Sequence, residues 1–80
     1  MPRFYLHLRQ GDALVEDPDG EELVSVAEAR DEAKAAAREI MSDQIRRGEL
    51  PERNSCFEIT DNDGHLVLTL PFDEALSPRS

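Results

Sequence analysis

The sequence predicts an α+β fold in which two β-hairpins flank one long helix. Three observations carry that expectation. Apolar and polar residues alternate cleanly from Arg3 to Arg9, a capped helical stretch opens after Ser25, and a second pair of apolar-rich segments follows Cys56. The expected order is ββαββ, with the helix on one face of a four-stranded sheet.

In the first segment Phe4, Leu6 and Leu8 point one way, while Arg3, Tyr5, His7 and Arg9 point the other. A period of two marks a strand with one buried face. Gln10-Gly11-Asp12 supplies a turn, and Ala13 to Glu16 returns as the second strand. Asp17-Pro18-Asp19-Gly20 then ends the hairpin, proline fixing φ and glycine permitting a positive φ.

Ser25 and Glu28 have the spacing of a capping box, in which hydroxyl and carboxylate satisfy free N–H groups of the first turn. The helix is expected from Val26 to Arg47. Gly48 suits the position after the C-cap, and Arg46 and Arg47 complement the negative end of the dipole. Val26, Ala29, Ala33, Ala36, Ala37, Ile40 and Met41 form one stripe at 100° per residue. Alanines let a helix lie close to a sheet but bury little area, each Å² being worth about 25 cal/mol. The sheet must therefore supply the bulk.

Beyond a polar connector, Cys56 to Thr60 reads as the third strand, with Phe57 and Ile59 inward. Asp61-Asn62-Asp63-Gly64 turns the chain into the fourth strand, His65 to Leu70. Leu66, Leu68 and Leu70 are expected inward, Val67 and Thr69 outward. Apolar residues on both faces place that strand inside the sheet, next to the first. Phe72 to Leu76 can form one helical turn. Residues 1–76 make one domain, and Ser77-Pro78-Arg79-Ser80 is expected as a frayed tail.

An 80-residue chain has room for one core and buries only about 60% of the surface its unfolded form exposes. Cys56, the single cysteine, allows neither an intrachain disulfide nor a cysteine-rich zinc site. No N-terminal signal-like run and no stretch near the roughly 20 apolar residues of a membrane span is present, so the expected location is the cytoplasm.

The formal net charge of −9 is unevenly distributed. Met1 to Ser25 carries two basic and six acidic residues, a net −4. Val26 to Gly48 carries five of each, and Glu49 to Ser80 carries two basic and seven acidic, a net −5. The strands and loops hold all the excess. Such a surface repels phosphate backbones and attracts basic partners.

The two Asp-x-Asp-Gly turns lack the calcium ligands of an EF-hand: alignment on Gly64 places Ile59 and Leu70 at the first and last positions, and on Gly20, Val15 and Val26. Turn chemistry explains them. His7 and His65 alternate with inward residues and read as surface histidines. Cys56 has no adjacent base or oxyanion donor, and no Walker loop, dinucleotide fingerprint, nucleophile elbow or HExxH is present. The expectation is therefore no catalytic residue, no cofactor and no bound metal.

Two basic rows are candidate interaction surfaces. Arg3, Tyr5, His7 and Arg9 line the outward face of the first strand, where an aromatic among cations can stack on a base. Arg30, Lys34 and Arg38 recur at i, i+4 along the helix, where a row of cations ordinarily keeps the flank solvated. A homodimer through the uncovered sheet face, with Tyr5, Val15 and Val67 as contacts, is a further expectation.

The chain also resembles a known family. The stretches Pro2-Arg3-Phe4-Tyr5-Leu6-His7-Leu8-Arg9, Asp17-Pro18-Asp19-Gly20-Glu21-Glu22-Leu23 and Ala27-Glu28-Ala29-Arg30-Asp31-Glu32-Ala33 are similar to those of short uncharacterised bacterial proteins, a domain of unknown function. Phe57-Glu58-Ile59-Thr60-Asp61 with Gly64, and Leu70-Pro71-Phe72-Asp73-Glu74-Ala75, extend the likeness over nearly the whole chain. It implies a bacterial cytoplasmic protein and brings no site residues. The first half, a hairpin before an alanine-rich helix with Glu-Ala pairs, is also similar to antitoxin domains of the HicB type.

Three functions follow as expectations. The first is a non-enzymatic acidic protein-interaction or regulatory module. The second is a nucleic-acid-linked regulator of antitoxin-like type, which the net charge disfavours. The third is a small metal protein or enzyme using His7, His65 and nearby carboxylates.

Overall fold

The computed structural model describes residues 1–51 and 53–76, so the tail expected at 77–80 lies outside the described residues. The elements are β1 (Arg3–Gln10), β2 (Ala13–Val15), β3 (Glu21–Glu22), α1 (Val26–Arg46), β4 (Cys56–Thr60), β5 (Leu66–Pro71) and α2 (Phe72–Ala75). The strands form one antiparallel sheet in the order β2-β1-β4-β5, with β3 pairing to β1 beyond the end of β2. The α+β class and the single long helix are as expected. Among the described residues the sheet has five strands rather than four, because the chain after the Asp17–Gly20 turn rejoins β1 at Arg3 and Phe4.

The fourth expected strand, β5, lies at the edge and not inside. The central pair is β1 and β4, since β4 returns along Tyr5 to Arg9. A bulge explains why β5 looked apolar on both sides. Ile59 pairs with Leu68 but Thr60 pairs with Leu66, so Val67 is the extra residue. Leu66 is thereby turned away from the core and is 59% exposed, while Val67 packs against it. Both assignments reverse the alternation expected from the sequence.

Ladder parity follows from a few bonds. Phe72 N–H donates to Ser55 O at 2.9 Å, so Leu70 and Leu68 of β5 bond to β4. Thr69 consequently directs its N–H and C=O groups to the free side, whereas the bulge at Val67 interrupts that parity. On β1 the even-numbered residues face β2 and β3. Leu6 falls in the gap between those two short strands, where its N–H meets the Asp17 carboxylate at 3.2 Å.

Helix α1 packs on the face that carries Phe4, Phe57, Ile59 and Leu70. Ala29, Ala33, Ala37 and Met41 are buried, Ala36 and Ile40 are partly so, and Val26 is exposed, leaving the expected stripe at its N-terminal end. Ser25 Oγ accepts the Glu28 N–H at 3.2 Å. At the other end Glu49 N–H bonds Gln44 O and Gly48 N–H bonds Ile45 O, a Schellman arrangement for which Gly48 adopts φ 80°. The helix ends one residue before the expected Arg47, which is its C-cap. Phe72, at the start of α2, is fully buried and its ring lies 5.5 Å from that of Phe57. The short α2 is thus a core element that joins β5 to α1. Among the described residues no helix is long and apolar enough to cross a membrane.

Candidate functional site

The outward face of β1 holds the first expected basic row, and its Arg3, His7 and Arg9 side chains each have a partner within the chain. Arg9 meets Glu58 across the β1–β4 ladder, Nε to Oε2 at 3.0 Å and Nη2 to Oε1 at 3.5 Å. The carboxylate raises the guanidinium pKa further, through hydrogen bonding first and charge second. Arg3 donates to Asp19 O at 2.8 Å and lies 3.6 Å from Glu22. His7 accepts the Asp17 N–H at Nδ1, at 3.0 Å, which leaves Nε2 to carry the proton and donate to Thr60 Oγ1 at 3.1 Å. Both imidazole nitrogens are engaged, so His7 is a strut between the Asp17 turn and β4.

Asp17 is the centre of this network. Its Oδ2 takes the Leu6 N–H, and its Oδ1 accepts from Asp19 N at 3.3 Å and Gly20 N at 3.1 Å. Gly20, at φ 69°, lies so close to β1 that a Cβ would be 2.8 Å from Tyr5 Cε2 and 3.0 Å from Phe4 O. The Tyr5 ring sits over the turn, parallel to that of His7 within 8° at a centroid distance of 6.2 Å. The Asp-Pro-Asp-Gly motif therefore fastens the outer strands to β1.

The second basic row, Arg30, Lys34 and Arg38, faces α2 rather than open solvent. Arg38 Nε donates to Ala75 O at 2.7 Å, meeting a free carbonyl at the end of α2. Arg30 lies 3.6 Å from Glu74. Between them Lys34 is 5% exposed, its stem contributing to the packing. The expected solvated flank is thus partly an interface inside the fold. Sequence spacing shows the row but not the small helix it meets, because α2 is only four residues long.

A third group joins His65 to nearby carboxylates, as one expectation had it, but without His7. Asp61, Asp63 and His65 bring one ligand atom each to within 4.8 Å of one another on the β4–β5 turn. Asp61 Oδ1 accepts the N–H groups of Asp63 and His65, both at 2.9 Å, which holds its carboxyl below the usual range, with His65 the first cause. His65 Nδ1 is 3.7 Å from Asp61 Oδ2. His7 takes no part in this group, so the two histidines do not meet in one site.

A family model for a domain of unknown function, DUF6894, matches residues 3–73. The chain belongs to this family. No curated protein and no solved structure matches it. In this DUF6894 domain Cys56 lies on the outer face of β4, opposite Arg9 and Pro71. Burial, followed by the nearby Glu58 charge, pushes its thiol pKa up, against the direction an activated nucleophile requires. Val15, expected on the outer face, shares the side of Leu8, to which it is paired. With Val67 turned to the core, Tyr5 is the one of the three expected dimer contacts that lies on the outer face of the DUF6894 sheet.

Proposed function

We propose that this DUF6894 chain is a non-enzymatic, acidic protein-interaction module that acts in a bacterial cytoplasm on a basic partner protein. The observation that supports the reading is the internal use of the lysine and arginine side chains among the described residues. Arg3, Arg9, Arg30, Arg46, Arg47 and Arg53 each lie in an ion pair within the fold. Arg38 is bound to a carbonyl and Lys34 is buried. What remains on the surface is the excess of the −9 chain, and a field of that sign recruits and orients positively charged surfaces. A second copy of the chain is the weaker partner, because two such fields repel.

The test is affinity capture with the full chain as bait, at low and at physiological salt. Recovery of a basic protein whose retention falls steeply with salt supports the reading. Repeated recovery of no protein at low salt, or tight binding of labelled RNA in a parallel titration, overturns it.

A further inference from the structure

Resting on that reading, we propose that the face of β1 and β2 beside α1 receives an amphipathic helix of a partner protein, one with lysine or arginine along the edge it turns to α1. The two flanks of α1 are treated in opposite ways. At about 100° per residue, Arg30, Lys34 and Arg38 fall on one side of the buried alanines, and Glu28, Glu32 and Glu39 on the other. The basic flank is closed by α2, through Ala75 O and Glu74. The acidic flank turns toward β3, where the Glu21 carboxyl lies against that of Glu32 and close to Glu28. Among the described residues, none of Glu21, Glu28, Glu32 and Glu39 lies in an ion pair. Arg46 and Arg47, at the far end of the helix, are taken by Asp43 and Glu49. Carboxylates held together without a cation repel, and a cation brought by a partner relieves them.

The apolar ground in front of this flank is incompletely covered. The backbone of α1 keeps chiefly to β5 and α2. Phe4 is buried, but Leu6 and Leu8 are only partly so, and Val15, on the side of Leu8, is 54% exposed. Ala36 and Ile40, on the same side of α1 as Glu32, are also partly buried. Four strands about 4.8 Å apart make a face roughly 19 Å wide, of which one helix covers about 10–12 Å. A second helix beside the first is the element that fits the remainder. Its apolar side meets Leu6, Leu8, Val15 and Ile40, and the unpaired acids call for a basic edge. A second copy of the chain brings the same acidic flank, which disfavours self-docking.

The probe is the synthetic peptide KLAKLLKKLAKLLK, titrated into the full isotope-labelled chain, with ELAELLEELAELLE as the counterpart of opposite charge. The basic peptide alone is expected to shift the methyl signals of Leu6, Leu8, Val15 and Ile40 and to gain helical circular dichroism, both less so as salt is raised. Glu32→Gln with Glu39→Gln should weaken binding about tenfold, as for two surface ion pairs lost. Asp31→Asn with Asp63→Asn removes the same charge at exposed positions elsewhere, on the solvent side of α1 and on the β4–β5 turn, and should weaken it much less. Val15→Lys, at an exposed position, sets a repelling charge on the apolar ground and should abolish the shifts. Shifts confined to the outer face around Tyr5, or none up to millimolar peptide, overturn the proposal. So do equal binding of both peptides, equal weakening by both pairs of substitutions, and a bound peptide that gains no helix. Shifts that grow with protein concentration alone overturn it in favour of a second copy. If wild type and Val15→Lys capture the same basic protein equally, this docking face falls while the interaction reading stands. If wild type captures none, both fall.

Discussion

The backbone of Gly20 lies against the Tyr5 ring, and Gly64 provides a control for what that contact is worth. Both glycines have a positive φ, 69° and 81°, but an added Cβ at Gly64 meets nothing within 4 Å. Gly64→Ala should therefore cost the left-handed strain alone, roughly 1–2 kcal/mol. Gly20→Ala carries the same strain plus overlap with Tyr5 and the Phe4 carbonyl, and should cost at least about 1 kcal/mol more. Chemical denaturation of the two variants reads the difference, and equal losses would show that the close approach does not matter. Asp17→Ala removes the acceptor of three backbone N–H groups and is expected to lower stability by about 1–3 kcal/mol. Exchange protection of the Leu6 amide should fall with it. The turn chemistry of this motif is legible in the sequence, since Pro and Gly state their backbone angles. Its attachment to His7 and Leu6 is not, because those bonds depend on strands separated by ten and eleven positions meeting in space.

Elements show the same division between local and distant causes. The start of α1 at Val26 follows from a serine cap and its end from a glycine, both written within a few residues of where they act. The place of β5 is different. Its residues are apolar on both faces as those of an inner strand would be, but strand order depends on which partners close the sheet, and the bulge at Val67 redistributes its side chains. The packing of α1 can be tested by paired substitutions on its two faces. Ala33 is buried and Ala35 is exposed. Ala33→Leu should overpack the helix–sheet contact and cost about 1–3 kcal/mol, whereas Ala35→Leu should leave the melting temperature nearly unchanged. At the junction with α2, Ser55 is buried and its hydroxyl has no hydrogen-bond partner among the described residues. Ser55→Ala should then be neutral or stabilising, since it removes a polar group that burial penalises. A clear loss of stability would reveal a partner for that hydroxyl.

At the scale of the whole molecule, excess negative charge opposes compaction, and two carboxyl groups give the pH dependence its sign. Glu21 has its pKa raised above the ordinary 4.5, by desolvation first and by the neighbouring Glu32 second. The folded state therefore binds that proton more tightly than the unfolded one, and stability falls as pH rises through the raised value. Asp61 has its pKa lowered below the ordinary 3.8, so the folded state holds its carboxylate more strongly and stability falls as pH drops through the lowered value. Acting alone, these two groups place the maximum between 3.8 and 4.5, on the acid side of neutrality. Denaturation midpoints measured across pH, in dilute protein, should rise from pH 7 toward that region and then decline. Glu21→Gln should flatten the neutral side of the curve, and Asp61→Asn the acid side. Each substitution removes one slope and leaves the other, so a curve that changes on both sides with either variant would place the titration elsewhere in the surplus of carboxylates. Screening works on the same surplus. Raising salt from about 10 to 150 mM shortens the Debye length from roughly 30 to 8 Å, which should stabilise the isolated chain while weakening its hold on a basic partner. Opposite signs for folding and for binding, measured in one salt series, are the expected outcome if the charge serves recognition rather than the fold.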